Sequence, residues 1–70
     1  MMPLVYAETG KEQVIKRIGG NPEVRKHLTD LGFNVGGTVS VVSSVGKNLI
    51  VKVKESRVAV SEELAGKIFI

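Results

Sequence analysis

The spacing of hydrophobic and polar positions changes several times along the chain, and each change predicts an element. Leu4 to Ala7 is a short apolar run that reads as an opening turn ending near Thr9–Gly10. From Glu12 to Ile18 the positions alternate, with Gln13, Ile15 and Arg17 on one side and Val14, Lys16 and Ile18 on the other. A period of two predicts a strand with one apolar face, and Gly19–Gly20 ends it. The period then lengthens. Asn21 is a side-chain cap, Pro22 suits the first helical position, and Glu23 suits the positive end of the helix dipole. Val24, Leu28 and Leu31 recur at i, i+4 and i+7, the apolar stripe of a helix of about three turns. Gly32 is placed to close that helix in the left-handed conformation.

The remainder is β-rich. Thr38–Ser44 and Asn48–Lys54 read as two strands of a hairpin turning at Val45–Gly46–Lys47. In the second strand Leu49, Val51 and Val53 point one way and Lys52 and Lys54 the other, with Ile50 interrupting the polar face. Arg57–Val60 is a further strand, and Ser61 to Gly66 is a single capped helical turn. Lys67–Ile70 is the last strand, with Ile68 and Ile70 on one face. The fold class expected is therefore mainly β with a short inserted helix, a five-stranded small antiparallel barrel. Closing the sheet into a barrel also removes edges that an open sheet would expose. No internal repeat, low-complexity stretch or linker divides the chain, so residues 1–70 are expected to form one domain.

Composition sharpens this picture. A folded chain of 70 residues buries only about 60% of the surface that it exposes when unfolded. Chains this small commonly lean on disulfides, a metal or a partner. With no Cys and one His, disulfides, thiolate sites and a zinc-fold imidazole cluster are excluded. Ten Lys and Arg against seven Asp and Glu give a net charge of +3, divided almost evenly between the two halves, so no basic arm or acidic tail exists. The start of the chain lacks the basic and apolar regions of a signal peptide, and no run is long enough for a membrane span. A cytoplasmic location, without membrane insertion, is expected.

The residues bear unequally on catalysis, metal ligation, nucleic-acid binding and protein interaction. Catalysis finds little support, because His27 is the only imidazole and the serines at 43, 44, 56 and 61 have no base near them in sequence. Metal ligation could draw on Glu23, His27 and Asp30 along the helix, but a helix-surface pair is the simpler role for Glu23 and His27. No cofactor is expected. A basic run, Lys47, Lys52, Lys54 and Arg57, hints at nucleic acid, yet the only aromatics, Tyr6, Phe33 and Phe69, are scattered over different elements. Single-strand binders need aromatic platforms as well as charge, so nucleic acid is not the expected partner. Protein interaction remains, with Arg25, Lys26, Thr29 and Asp30 on the outer side of the one long helix as the expected contact residues.

Taken in order, these landmarks resemble the ferrous iron transport protein A (FeoA) family across essentially the whole chain. The most specific stretch is RKHLTDLGFNVGGTVSVV, residues 25–42, with its arginine, spaced leucines, Leu31–Gly32 and Gly37–Thr38. Leu49 to Val53, Val58 to Val60, Ala65 and Ile68 to Ile70 continue the pattern. Two positions depart from it: Asn34–Val35 stands where a proline is expected, and Ala7 where a second leucine is common. The resemblance implies an SH3-like barrel with a helix after the first strand. It also implies a non-enzymatic partner that binds the cytoplasmic part of the FeoB-type membrane transporter, with weak transition-metal binding attributed to the family. A similar barrel occurs in iron- and manganese-dependent repressors, so a repressor-type accessory domain or a stand-alone nucleic-acid-binding barrel is the alternative. With no thiol and a single imidazole, titration with ferrous iron or zinc is expected to show no 1:1 site tighter than about 1 µM, roughly −8.2 kcal/mol.

Overall fold

Asn21 sets the start of the longest helix. In a computed structural model that describes all residues, Met1 to Ile70, the Val24 amide donates to Asn21 Oδ1 at 2.8 Å. Pro22 opens helix α1, Pro22–Asp30, where its missing N–H costs nothing. The helix stops by a Schellman arrangement. The Phe33 amide donates to the Leu28 carbonyl and the Gly32 amide to that of Thr29, both at 3.0 Å. Gly32 takes a φ of +109°, which a side chain would resist. That stop carries Phe33 back beneath the helix, and Phe33 and Leu28 are both fully buried. Of the predicted stripe, Leu28 is in the core, while Val24 and Leu31 are half-buried against it.

The β-structure follows the predicted order with one change. The expected first strand is broken into β1, Gln13–Val14, and β2, Arg17–Ile18. Strands β3 (Thr38–Val45), β4 (Asn48–Val53), β5 (Ser56–Ser61) and β6 (Ile68–Phe69) complete the set. One sheet runs β1-β3-β4-β5 and the other pairs β2 with β6, all antiparallel. The break lies at Ile15–Lys16. The Ile15 amide donates to the Gly37 carbonyl, whereas the Lys16 amide donates to that of Phe69. The chain thus changes sheets in one step, and only Ile15 of this stretch is fully buried. The simple two-face reading fails here because a strand that leaves one sheet for another does not keep one face inward. Val14, expected beside Ile18, is accordingly 49% exposed.

The first hairpin turn is tighter than the sequence suggests, and the second is shifted by one residue. Val45 pairs with Asn48, so the loop is Gly46–Lys47, with φ +60° at Gly46. Val53 pairs with Ser56, which moves Lys54 from the strand into the second turn. Lys54 adopts φ +56° there, the one non-glycine residue in the left-handed region. A bulge between Val41 and Ser43 shifts the β3–β4 register and bends the hairpin around the core.

The short helix α2, Glu62–Ala65, is capped by Ser61 Oγ, which accepts from the Leu64 amide at 3.2 Å. The chain ends then meet: the Met2 amide donates to Ile70, and the Ile70 amide to Met2, at 2.9 and 2.8 Å. Thirteen apolar residues form one core cluster, and no polar residue is buried with them.

Denaturant unfolding of three variants tests this packing and these turns. Leu28→Ala should cost about 2–5 kcal/mol in denaturant unfolding, because it opens a cavity in this core. Lys54→Gly should stabilise by about 0.5–1 kcal/mol, the left-handed penalty less the added chain entropy of glycine. Gly46→Ala should act in the opposite sense, although nothing lies within 4 Å of an added Cβ there.

Candidate interaction groove beside helix α1

Capping and packing of α1 also shape the one sizeable concavity of the molecule. It is an open groove of about 540 Å³, lined along α1 and its cap by Asn21, Glu23, Val24, Lys26, His27 and Asp30, and across from them by Leu64 of α2. Val24 and Leu64 are half-buried and form an apolar floor under a polar rim. On that rim Lys26 Nζ donates to Asp30 Oδ2 at 3.2 Å, with the side chains 78% and 63% exposed. An exposed i, i+4 pair of this kind contributes about 0.3–0.5 kcal/mol. Its larger effect is to hold both groups along one side of the groove.

The four residues expected to contact a partner therefore separate into two sets. Lys26 and Asp30 line the groove. Arg25 and Thr29 are exposed on α1 but outside the groove. Leu64 had no sequence signal as a groove residue, since only the return of the chain through α2 sets it beside α1. Asn21 and Val24 were legible as cap and core stripe, and both also line the groove.

The residues that bear on catalysis, metal ligation and nucleic acid do not converge on one site. His27 is exposed on the groove wall. Glu23, His27 and Asp30 share α1, but no three His, Cys, Asp or Glu side chains converge where a metal ion could sit. The basic run is divided: Lys52 stands directly opposite Arg57, Lys54 is in the turn beside them, and Lys47 is in the turn at the far end of β4. Phe33 is buried, Phe69 lies under the Arg17 guanidinium at 5.5 Å, and only Tyr6, 74% exposed, stands free. No two aromatic rings are displayed together for stacked bases. Ser61, one of the serines considered as a nucleophile, spends its hydroxyl on the α2 cap. No helix is long and apolar enough to cross a membrane.

Known proteins share both the sequence and this architecture. The chain is 30% identical over 70 residues to an Fe(2+) transport protein A of Methanocaldococcus jannaschii, covering all of this chain and 85% of the relative. It superposes with a TM-score of 0.87 on the crystal structure of an iron uptake regulatory protein (FeoA), 30% identical, covering 96% of this chain and 89% of the other. A Stenotrophomonas maltophilia FeoA complexed with zinc, described as a procaryotic SH3 domain protein, is 24% identical with a TM-score of 0.85. That match covers 99% of this chain and 88% of the other, and it establishes the SH3-like fold. The FeoA domain model itself matches residues 2–70, with Leu28, Leu31–Gly32–Phe33 and the β3–β5 strands inside the match, and the chain belongs to the FeoA domain family.

Proposed function

We propose that residues 1–70 act as one non-catalytic adaptor domain of ferrous iron uptake in the cytoplasm, docking on the cytoplasmic part of a FeoB-type membrane transporter. The α1 groove carries this reading. It is the one sizeable concavity, and it pairs an apolar floor of Val24 and Leu64 with a charged rim, the make-up of a recognition site for a protein surface. The named relatives are an Fe(2+) transport protein and an iron uptake regulatory protein, which supports a transporter as the partner. In this reading Lys26 and Asp30 contact the partner from the groove rim, and Arg25 and Thr29 from the adjoining outer side of α1. Iron is the cargo of the transporter and is not held tightly by this chain.

Titration of the protein with the purified cytoplasmic domain of such a transporter tests the assignment. Arg25→Glu and Lys26→Glu should each weaken binding about tenfold, near 1.4 kcal/mol. Both residues are exposed, so the melting temperature should move by no more than about 4 °C. Lys52→Glu, on the outer sheet face, should leave binding unchanged. If Lys52→Glu matters as much as the α1 variants, the docking face lies elsewhere.

A further inference from the structure

Strand β5 is the unprotected edge of the larger sheet. It pairs only with β4, whereas β1 at the other edge is only two residues long. β5 spans six residues, Ser-Arg-Val-Ala-Val-Ser, with no Pro and no bulge against β4. Its hydrogen-bond phase can be read from the ladder. Val53 and Ser56 close a two-residue turn, and beyond the other end of β5 the Glu62 amide donates to the Lys47 carbonyl at 2.9 Å. Antiparallel pairs alternate between bonded and non-bonded, so Ser56, Val58 and Val60 turn their backbone groups toward β4. Arg57, Ala59 and Ser61 turn theirs outward. None of these outward groups is bonded by any turn or loop of the chain.

Charge at this edge is also unresolved within one copy. Arg57 stands opposite Lys52 across the strands, a like-charge pair that destabilises a sheet. The only ion pair in the molecule is Lys26–Asp30 on α1, so Arg57 has no acidic partner. The next residues after β5 are acidic: Glu62 and Glu63 open α2.

We propose that β5 pairs antiparallel with β5 of a second copy about a two-fold axis at Ala59, joining two four-stranded sheets into one. In this register each Ala59 exchanges its N–H and C=O with the other Ala59. Each Ser61 amide donates to the Arg57 carbonyl opposite it, while the Ser61 carbonyl stays with the helix that Ser61 caps. Val58 faces Val60 on the inner side. Arg57 of each copy comes beside Ser61, Glu62 and Glu63 of the other, gaining the acidic partners that it lacks alone. Lys54 in the adjoining turn approaches the same carboxylates, and Glu55 is the one acidic group on the approaching side. The register is selective. A one-residue slip sets inward side chains against outward ones; a two-residue slip centred on Val58 brings the two Arg57 side chains to diagonal positions, like charge near like charge, and the opposite slip, centred on Val60, leaves only Ala59 to Ser61 paired. The pairing is isologous, so it closes as a dimer, and it displays two α1 grooves.

Light scattering and amide exchange on the intact chain test this together. Between about 10 µM and 1 mM, the range of a small interface, the mass should rise from 7.5 kDa toward twice that value. Over the same range the Arg57, Ala59 and Ser61 amides should gain protection while Val58 and Val60 stay protected throughout. Ala59→Pro removes an outward N–H that β4 does not use, and should leave a folded monomer at every concentration. Arg57→Glu should lower the dimer fraction at least tenfold, and adding Glu62→Arg and Glu63→Arg should restore it. A chain that stays at 7.5 kDa throughout, a dimer that survives Ala59→Pro, or a dimer without the alternating protection overturns the proposal.

Discussion

Thirteen apolar side chains, from Leu4 near one end to Ile70 at the other, form a single cluster, and the chain has no cysteine with which to reinforce it. Each element therefore has to contribute to the same small volume. The helix contributes Leu28 and, through its stop, Phe33. The β-sheets contribute Val39, Val41, Leu49, Val51, Val53, Val60 and Ile68, the crossing between them contributes Ile15, and α2 contributes Ala65. Mutual exchange of backbone bonds between Met2 and Ile70 fastens both chain ends beside this cluster. In a chain of this size the packing of one layer of side chains decides whether any of the surface exists.

That dependence explains how α1 can serve two purposes at once. Nine residues are too few for a stable isolated helix. Leu28 anchors it from below, the Asn21 cap and the Gly32 stop satisfy its ends, and the outer residues are left free of structural duty. Arg25, Lys26, Thr29 and Asp30 are all exposed, and the one bond among them, from Lys26 to Asp30, stabilises little. The groove between α1 and Leu64 exists because α2 is fastened to the opposite wall by Ala65 and the Ser61 cap.

The barrel is closed unevenly. Where the chain crosses between sheets at Ile15–Lys16, both amides and the Ile15 carbonyl find partners in the 36–37 turn or in β6. β5 has no such neighbour on its outer side, because the chain leaves it through α2 to reach β6. This six-residue edge adjoins the acidic start of α2.

Local rules read correctly wherever the signal lies within a few neighbouring residues. The Asn21 cap, Pro22, the Leu28 anchor, the Gly32 stop, the alternation of Leu49, Val51 and Val53, and the Ser61 cap all follow from bonds or periodicities that span no more than one helical turn or one strand. The resemblance to FeoA, carried by residues 25–42, is the family to which the chain belongs. Other features depended on segments far apart in sequence. The break at Ile15–Lys16 arises because Gly37 and Phe69 compete for adjacent amides, and neither is visible from the alternation of residues 12–18. Phe33 reads as one scattered aromatic until the helix stop turns it inward. Lys54 reads as a strand residue until Val53 pairs with Ser56, and Leu64 joins Lys26 and Asp30 in one groove only when α2 packs beside α1. The sequence by itself thus determined the elements and the family, since caps and periods act locally. The partners of each strand edge and the walls of the groove were decided by the tertiary structure, because they depend on which distant segments must share one core.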